Sequence, residues 1–70
     1  MIADATVTTK VKGVLLKEEA LKSLGIHVET EQGVVMLSGF VNSKQEADRA
    51  VQIAKTVDGV KKVESAIKVK

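Results

Sequence analysis

Seventy residues without a cysteine make one domain, near the lower limit at which a single core offsets the conformational entropy of folding without a covalent staple. Eleven basic and nine acidic side chains mostly alternate and leave a net charge of only +2, and Phe40 is the one aromatic residue. This excludes thiol chemistry and disfavours nucleic acid, which calls for a denser basic stripe interleaved with stacking rings.

The first helix is expected over about residues 4–17, where Val7, Val11, Val14 and Leu15 recur at helical spacing with Lys10, Lys12 and Lys17 flanking the stripe. Asp4 is the expected N-cap. The stretch "EEALKSLG" either prolongs this helix or forms a separate turn anchoring Leu21 and Leu24, and Gly25 closes it. Over about residues 26–31, Ile26, Val28 and Thr30 alternate with His27, Glu29 and Glu31, the period of a strand wetted on one face. A two-residue turn at Gln32 and Gly33 then leads into a strand over about residues 34–41. Matching the two apolar faces requires Val28 opposite Leu37, because a slip of one residue would carry His27 and Glu29 into the core.

The second helix is expected over about residues 43–58. Ser43 and Glu46 have capping-box spacing, Ala47, Ala50, Val51, Ala54 and Val57 form a stripe of small residues, and Gly59 stands where a left-handed C-cap residue belongs. A last strand, about residues 62–69, alternates Val63, Ser65, Ile67 and Val69 against polar neighbours. The class is α+β: a two-layer α-β-β-α-β domain whose three-stranded mixed sheet carries both helices on one face. The right-handed crossover rule makes the third strand parallel to the second. Gly39, on the helix-covered face, is expected to admit the alanine stripe of the second helix, while Ser38 points to water.

That architecture leaves Met36 and Phe40 on an uncovered sheet face, an apolar patch framed by Lys62 and Lys68 that suits a partner. Lys10 and Lys17, two turns apart on one flank of the first helix, suit anionic headgroups. His27 reads as a solvent-facing strand residue rather than a metal ligand, since no convergent ligand set accompanies it. Ser38 has no histidine near it in sequence, the carboxylates show no pairing pattern, and the glycines lack phosphate-loop spacing. No catalytic residue, metal or cofactor is expected. No apolar run is long enough to span a bilayer, and "MIADATVTTK" carries no secretion signal.

The strand "GVVMLSGFV", the run "NSKQEADRAVQIAKTVDGVKKVESAIKV" after it and the leading "TTKVK" together resemble the BON domain, a bacterial module named from osmotically induced periplasmic and nodulation proteins. The resemblance covers nearly the whole chain and implies two helices on a three-stranded mixed sheet. It also implies a non-enzymatic module that associates with phospholipid or other envelope components, commonly in paired copies, of which one lies within this sequence. The expected function is therefore binding to an anionic phospholipid surface through Lys10, Lys17, Lys62 and Lys68. One alternative is protein interaction or weak homo-oligomerisation through Met36 and Phe40, and a weaker one is cation sensing. The resemblance implies a periplasmic setting, and the absence of a secretion signal leaves the cytoplasm as the other compartment.

Overall fold

Helix α1 spans Asp4–Lys17 and strand β1 His27–Glu31. The computed structural model, which describes residues 2–70, continues with β2 at Val34–Val41, α2 at Lys44–Lys55 and β3 at Lys62–Val69. The element order is the one the periodicities predict. The sheet order is β1-β2-β3, with β1 antiparallel and β3 parallel to the central strand. Val28 lies opposite Leu37 as the apolar faces require, and the same ladder puts Leu37 beside Ser65 of β3.

Both helices cover one face. α1 packs over β1, α2 lies against β3 and β2, and the helices touch each other. Val7, Val11 and Leu15 of α1, Leu21, Val28, Val35, Leu37, and Ala50, Ile53, Ala54 and Val57 of the second helical segment form one buried cluster. All but the two alanines are bulky aliphatics, so packing and area burial, at roughly 1.5–3 kcal/mol per large side chain, carry the fold. Ala50 and Ala54 let the α2 backbone come close, and Ile53, between them, belongs to the buried face as well. β3 is the least covered strand: only Val63 and Ile67 are half-buried, while Ser65 and Val69 on the same side stay exposed.

Four local expectations change. Asp4 is the first helical residue, not the N-cap; Ala3 occupies that position and makes no side-chain cap bond. The Asp4 carboxylate instead accepts the backbone amides of Gln32 at 2.7 Å and Gly33 at 3.1 Å. Both turn residues have positive φ, +50° for Gln32 and +84° for Gly33, the pairing of a tight primed hairpin turn. Gln32 is strained there by its β-carbon, and a carboxylate on the two turn amides, one exposed and one part-buried, offsets that cost. Of the two expected forms of the stretch after α1 the structure has the separate turn, with the amides of Leu21 and Lys22 bonded to Glu18 O and Leu21 buried beneath it.

α2 also starts and ends inside its expected bounds. Ser43 is the N-cap; its Oγ accepts from Glu46 N at 3.2 Å, and Glu46 Oε1 accepts from Asn42 N at 2.7 Å, so the box is displaced by one residue at its return bond. The helix stops at Lys55 because Thr56 Oγ1 donates to Ile53 O at 2.7 Å and the Thr56 and Val57 amides reach back three residues, a tightened last turn. Gly59 is therefore not the C-cap residue. It shapes the turn into β3 with φ +94°, and a β-carbon there would stand 3.0 Å from Val7 Cγ2 and 3.2 Å from Ile2.

Gly39 is corrected in its cause. Its φ is +132°, and the atoms nearest the site of a β-carbon are Ile26 Cα at 3.7 Å and Gly25 O at 3.8 Å, not the alanines of α2. Space is ordinary there, so backbone conformation is what demands glycine. Gly39→Ala adds only the β-carbon and should cost about 1–3 kcal/mol in a denaturant titration; unchanged stability would remove the backbone explanation. Asp4→Ala should cost about 1–2 kcal/mol and Asp4→Asn less, since the amide keeps one acceptor oxygen for the turn. Equal losses in the two variants would show that the turn amides are not what the carboxylate serves.

Candidate functional site

The two layers present two different outer surfaces. On the helix layer, Lys10 and Lys17 of α1 line, with Gly13 and Val14, a shallow groove whose other wall is Thr56, Val57 and Asp58. Both lysines are exposed, on the flank of α1 nearest the turn that follows α2, with Asp58 across the groove from them. The remaining exposed side of α1 carries Leu16, which is 63% exposed. Leu16 and Lys12, with Leu15, Leu21, Lys22, Gly25 and Ile26, line a small apolar hollow beside it. Lys22 is engaged by Glu19 at 3.1 Å, and Arg49 of α2 holds Glu18 at 3.3 Å, which pins the end of α1 to α2. Lys12 makes no ion pair among the described residues. Leu16 escaped the sequence reading, although the signal was there: it follows Leu15 and so falls about 100° around the helix, off the buried stripe.

On the sheet layer, strand alternation and register put His27, Glu29 and Glu31 of β1, Val34, Met36, Ser38 and Phe40 of β2, and Lys62, Glu64, Ala66 and Lys68 of β3 on the open face. Met36 is 38% and Phe40 58% exposed, so this face has no third layer within the chain. Lys62 and Lys68 frame the apolar strip on the β3 side only. The β1 side is acidic, with Glu29 and Glu31, and Lys62 is itself 3.5 Å from Glu64. The four expected lipid-facing lysines are thus split between opposite layers, and one flat surface resting on α1 does not reach Lys62 and Lys68.

His27 is exposed, as its strand position predicts, and its Nε2 lies 3.2 Å from Glu29 Oε1. The ladder sets His27 directly across from Ser38, a neighbour that spacing along the chain does not reveal. No hydrogen bond joins the two among the described residues; the ring is held by Glu29 instead. Among the described residues no three His, Asp or Glu side chains converge to hold a metal ion, and no helix is long and apolar enough to cross a membrane.

Set beside known proteins, residues 3–70 match the family model described as "BON domain", and the chain belongs to that family. It is 46% identical over 67 residues to osmotically-inducible protein Y of Escherichia coli (strain K12), covering 96% of this chain and 33% of that protein. It is 40% identical over 60 residues to the 21 kDa hemolysin of Actinobacillus pleuropneumoniae, covering 86% of this chain and 30% of the hemolysin. The chain thus spans about a third of the length of these curated relatives. Among solved structures, CdsD, a structural protein of the type III secretion system of Chlamydia trachomatis, superposes with a TM-score of 0.79 at 22% identity, over 99% of this chain and 32% of CdsD; this likeness is one of fold.

The exposure of Phe40 gives a direct check on the open face. Phe40→Ser should cost less than about 1 kcal/mol, whereas removing a sealed phenylalanine costs about 3–5 kcal/mol. A loss of the larger size in a thermal melt would show that the ring is covered within the monomer.

Proposed function

We propose that this domain is a non-catalytic binding module of the bacterial cell envelope, resting on anionic phospholipid through the exposed side of α1. The observation that carries the reading is Leu16, an apolar side chain held 63% exposed on a helix whose solvent-facing positions include Lys10, Lys12 and Lys17. An apolar tip set among cations suits the headgroup boundary, where the leucine enters and the lysines meet phosphate. Each lysine near such a surface contributes about 1 kcal/mol and burial of Leu16 about 2 kcal/mol, which makes the contact weak and reversible. Full-length partners or several copies would then set its residence time. The relatives' names, one osmotically inducible and one a hemolysin, support an envelope setting, and a periplasmic location belongs to the same proposal. Cation sensing has no converging ligand set among the described residues to stand on.

Flotation with vesicles of phosphatidylglycerol in phosphatidylcholine tests the reading. The domain should float with anionic vesicles at low salt, stay behind with neutral ones, and be released as salt shortens the screening length toward about 8 Å. Leu16→Ser, and Lys12→Glu combined with Lys17→Glu, should each lower retention by about tenfold or more, while Lys68→Glu on the opposite layer should leave it unchanged. Failure of anionic vesicles to retain the domain at low salt would end the lipid reading.

A further inference from the structure

Gly13 has no explanation inside the chain. It lies in the middle of α1, where glycine is unfavourable relative to alanine, yet its φ is not positive and a β-carbon there would meet nothing within 4 Å. Neither backbone conformation nor packing asks for glycine. The open space belongs to the groove between α1 and the turn after α2. Lys10, Gly13, Val14 and Lys17 fall on one stripe of the helix, so the glycine sits between two lysines, each about 5 Å from it along the axis. Asp58 stands on the other wall. All three charged groups are exposed, and none makes an ion pair among the described residues. We propose that this groove seats a phosphate-linked primary amine, the phosphoethanolamine headgroup of a phospholipid, with the phosphate over Gly13 between Lys10 and Lys17 and the ammonium on Asp58. The proposal rests on the reading of α1 as the side that meets the membrane.

Charge decides the class of ligand. A phosphate alone satisfies the lysines but leaves the Asp58 carboxylate facing an anion across one groove, which is unfavourable. A choline headgroup brings a positive charge without an N–H, so it cannot donate to that carboxylate, and a glycerol headgroup donates only from neutral hydroxyls. A primary ammonium donates with charge assistance, a bond roughly twice as strong as a neutral one. Size agrees with a headgroup rather than a whole lipid. The groove holds about 370 Å³, near the lower end of ligand sites, which run roughly 300–1,000 Å³. The missing side chain at Gly13 lets a phosphate come down to the helix surface within span of both lysine stems. Phosphatidylethanolamine carries no net charge, so attraction to the surface stays with anionic lipid, and the groove selects among the headgroups met there.

Soluble glycerophosphoethanolamine, glycerophosphocholine and glycerophosphoglycerol, titrated while the amide shifts of Gly13, Val14 and Asp58 are followed, test this without a bilayer. The amine probe should bind about fivefold or more tighter than the other two. Vesicles of phosphatidylglycerol in phosphatidylethanolamine should likewise retain the domain several-fold better than phosphatidylglycerol in phosphatidylcholine, and Asp58→Asn should erase that difference. Gly13→Ala separates the site from the scaffold. It should raise Tm by about 4–8 °C, because helix propensity improves and the methyl meets nothing, and lower affinity for the amine probe by about fivefold. A stabilised Gly13→Ala chain that binds the amine probe as the parent does overturns the proposal, as does equal affinity for all three probes. Retention on phosphatidylglycerol vesicles with no shift at Gly13 or Asp58 from any probe would overturn it while leaving the membrane reading intact. Binding of the soluble amine by a domain that no vesicle retains would end the membrane reading and give the groove to a soluble ester of the same chemistry.

Discussion

Val28 across from Leu37 is the pairing on which every other placement depends. Because side chains alternate with a period of two, moving β1 by one residue would bury His27, Glu29 and Glu31 unpaired and expose Val28. The hydrophobic cost alone would be several kcal/mol, a large part of the stability of a domain this small. The register is held from both ends. A two-residue turn permits only one in-phase alignment, and the Asp4 carboxylate binds the amides of that turn from the start of α1. Helix and hairpin are thereby locked in the same arrangement.

Given that register, the thinness of the core follows from composition. With helices on one side only, the interior is a single interlayer space filled by valines, leucines, an isoleucine and two alanines. Ala50 and Ala54 bring α2 down onto the sheet, while β3, at the margin, is left mostly wet. The one large ring is spent outside the core, where Phe40 and Met36 stand partly exposed on the open sheet face. Such a layout gives the two outer surfaces independent chemistry, a basic helix with an apolar tip on one and a graded sheet on the other.

Much of this was legible from residue order. Element types and the strand limits of β2 and β3 follow from period-two alternation bounded by glycine, and the α2 start from the Ser43 and Glu46 spacing. The family resemblance drawn from the same stretches agrees with the matched family model. What was not legible is what depends on partners far along the chain. Asp4 looked like a local cap because its real partners lie across the fold at Gln32 and Gly33. Gly39 looked like a packing gap because φ is not written in a sequence. The acidic half of the open face was visible only as a wet strand side, until the ladder set Glu29 beside Met36 and the β3 lysines beyond it.

The open face also holds both of the chain's ring systems, for the sequence has one phenylalanine, one histidine, no tyrosine and no tryptophan. Near-ultraviolet absorbance is accordingly almost nil, which makes the domain awkward to quantify by optical means. In proton magnetic resonance the same scarcity is an advantage. Once the N–H protons have been exchanged for deuterium, every remaining downfield line arises from His27 or Phe40, an unlabelled reporter on that one surface.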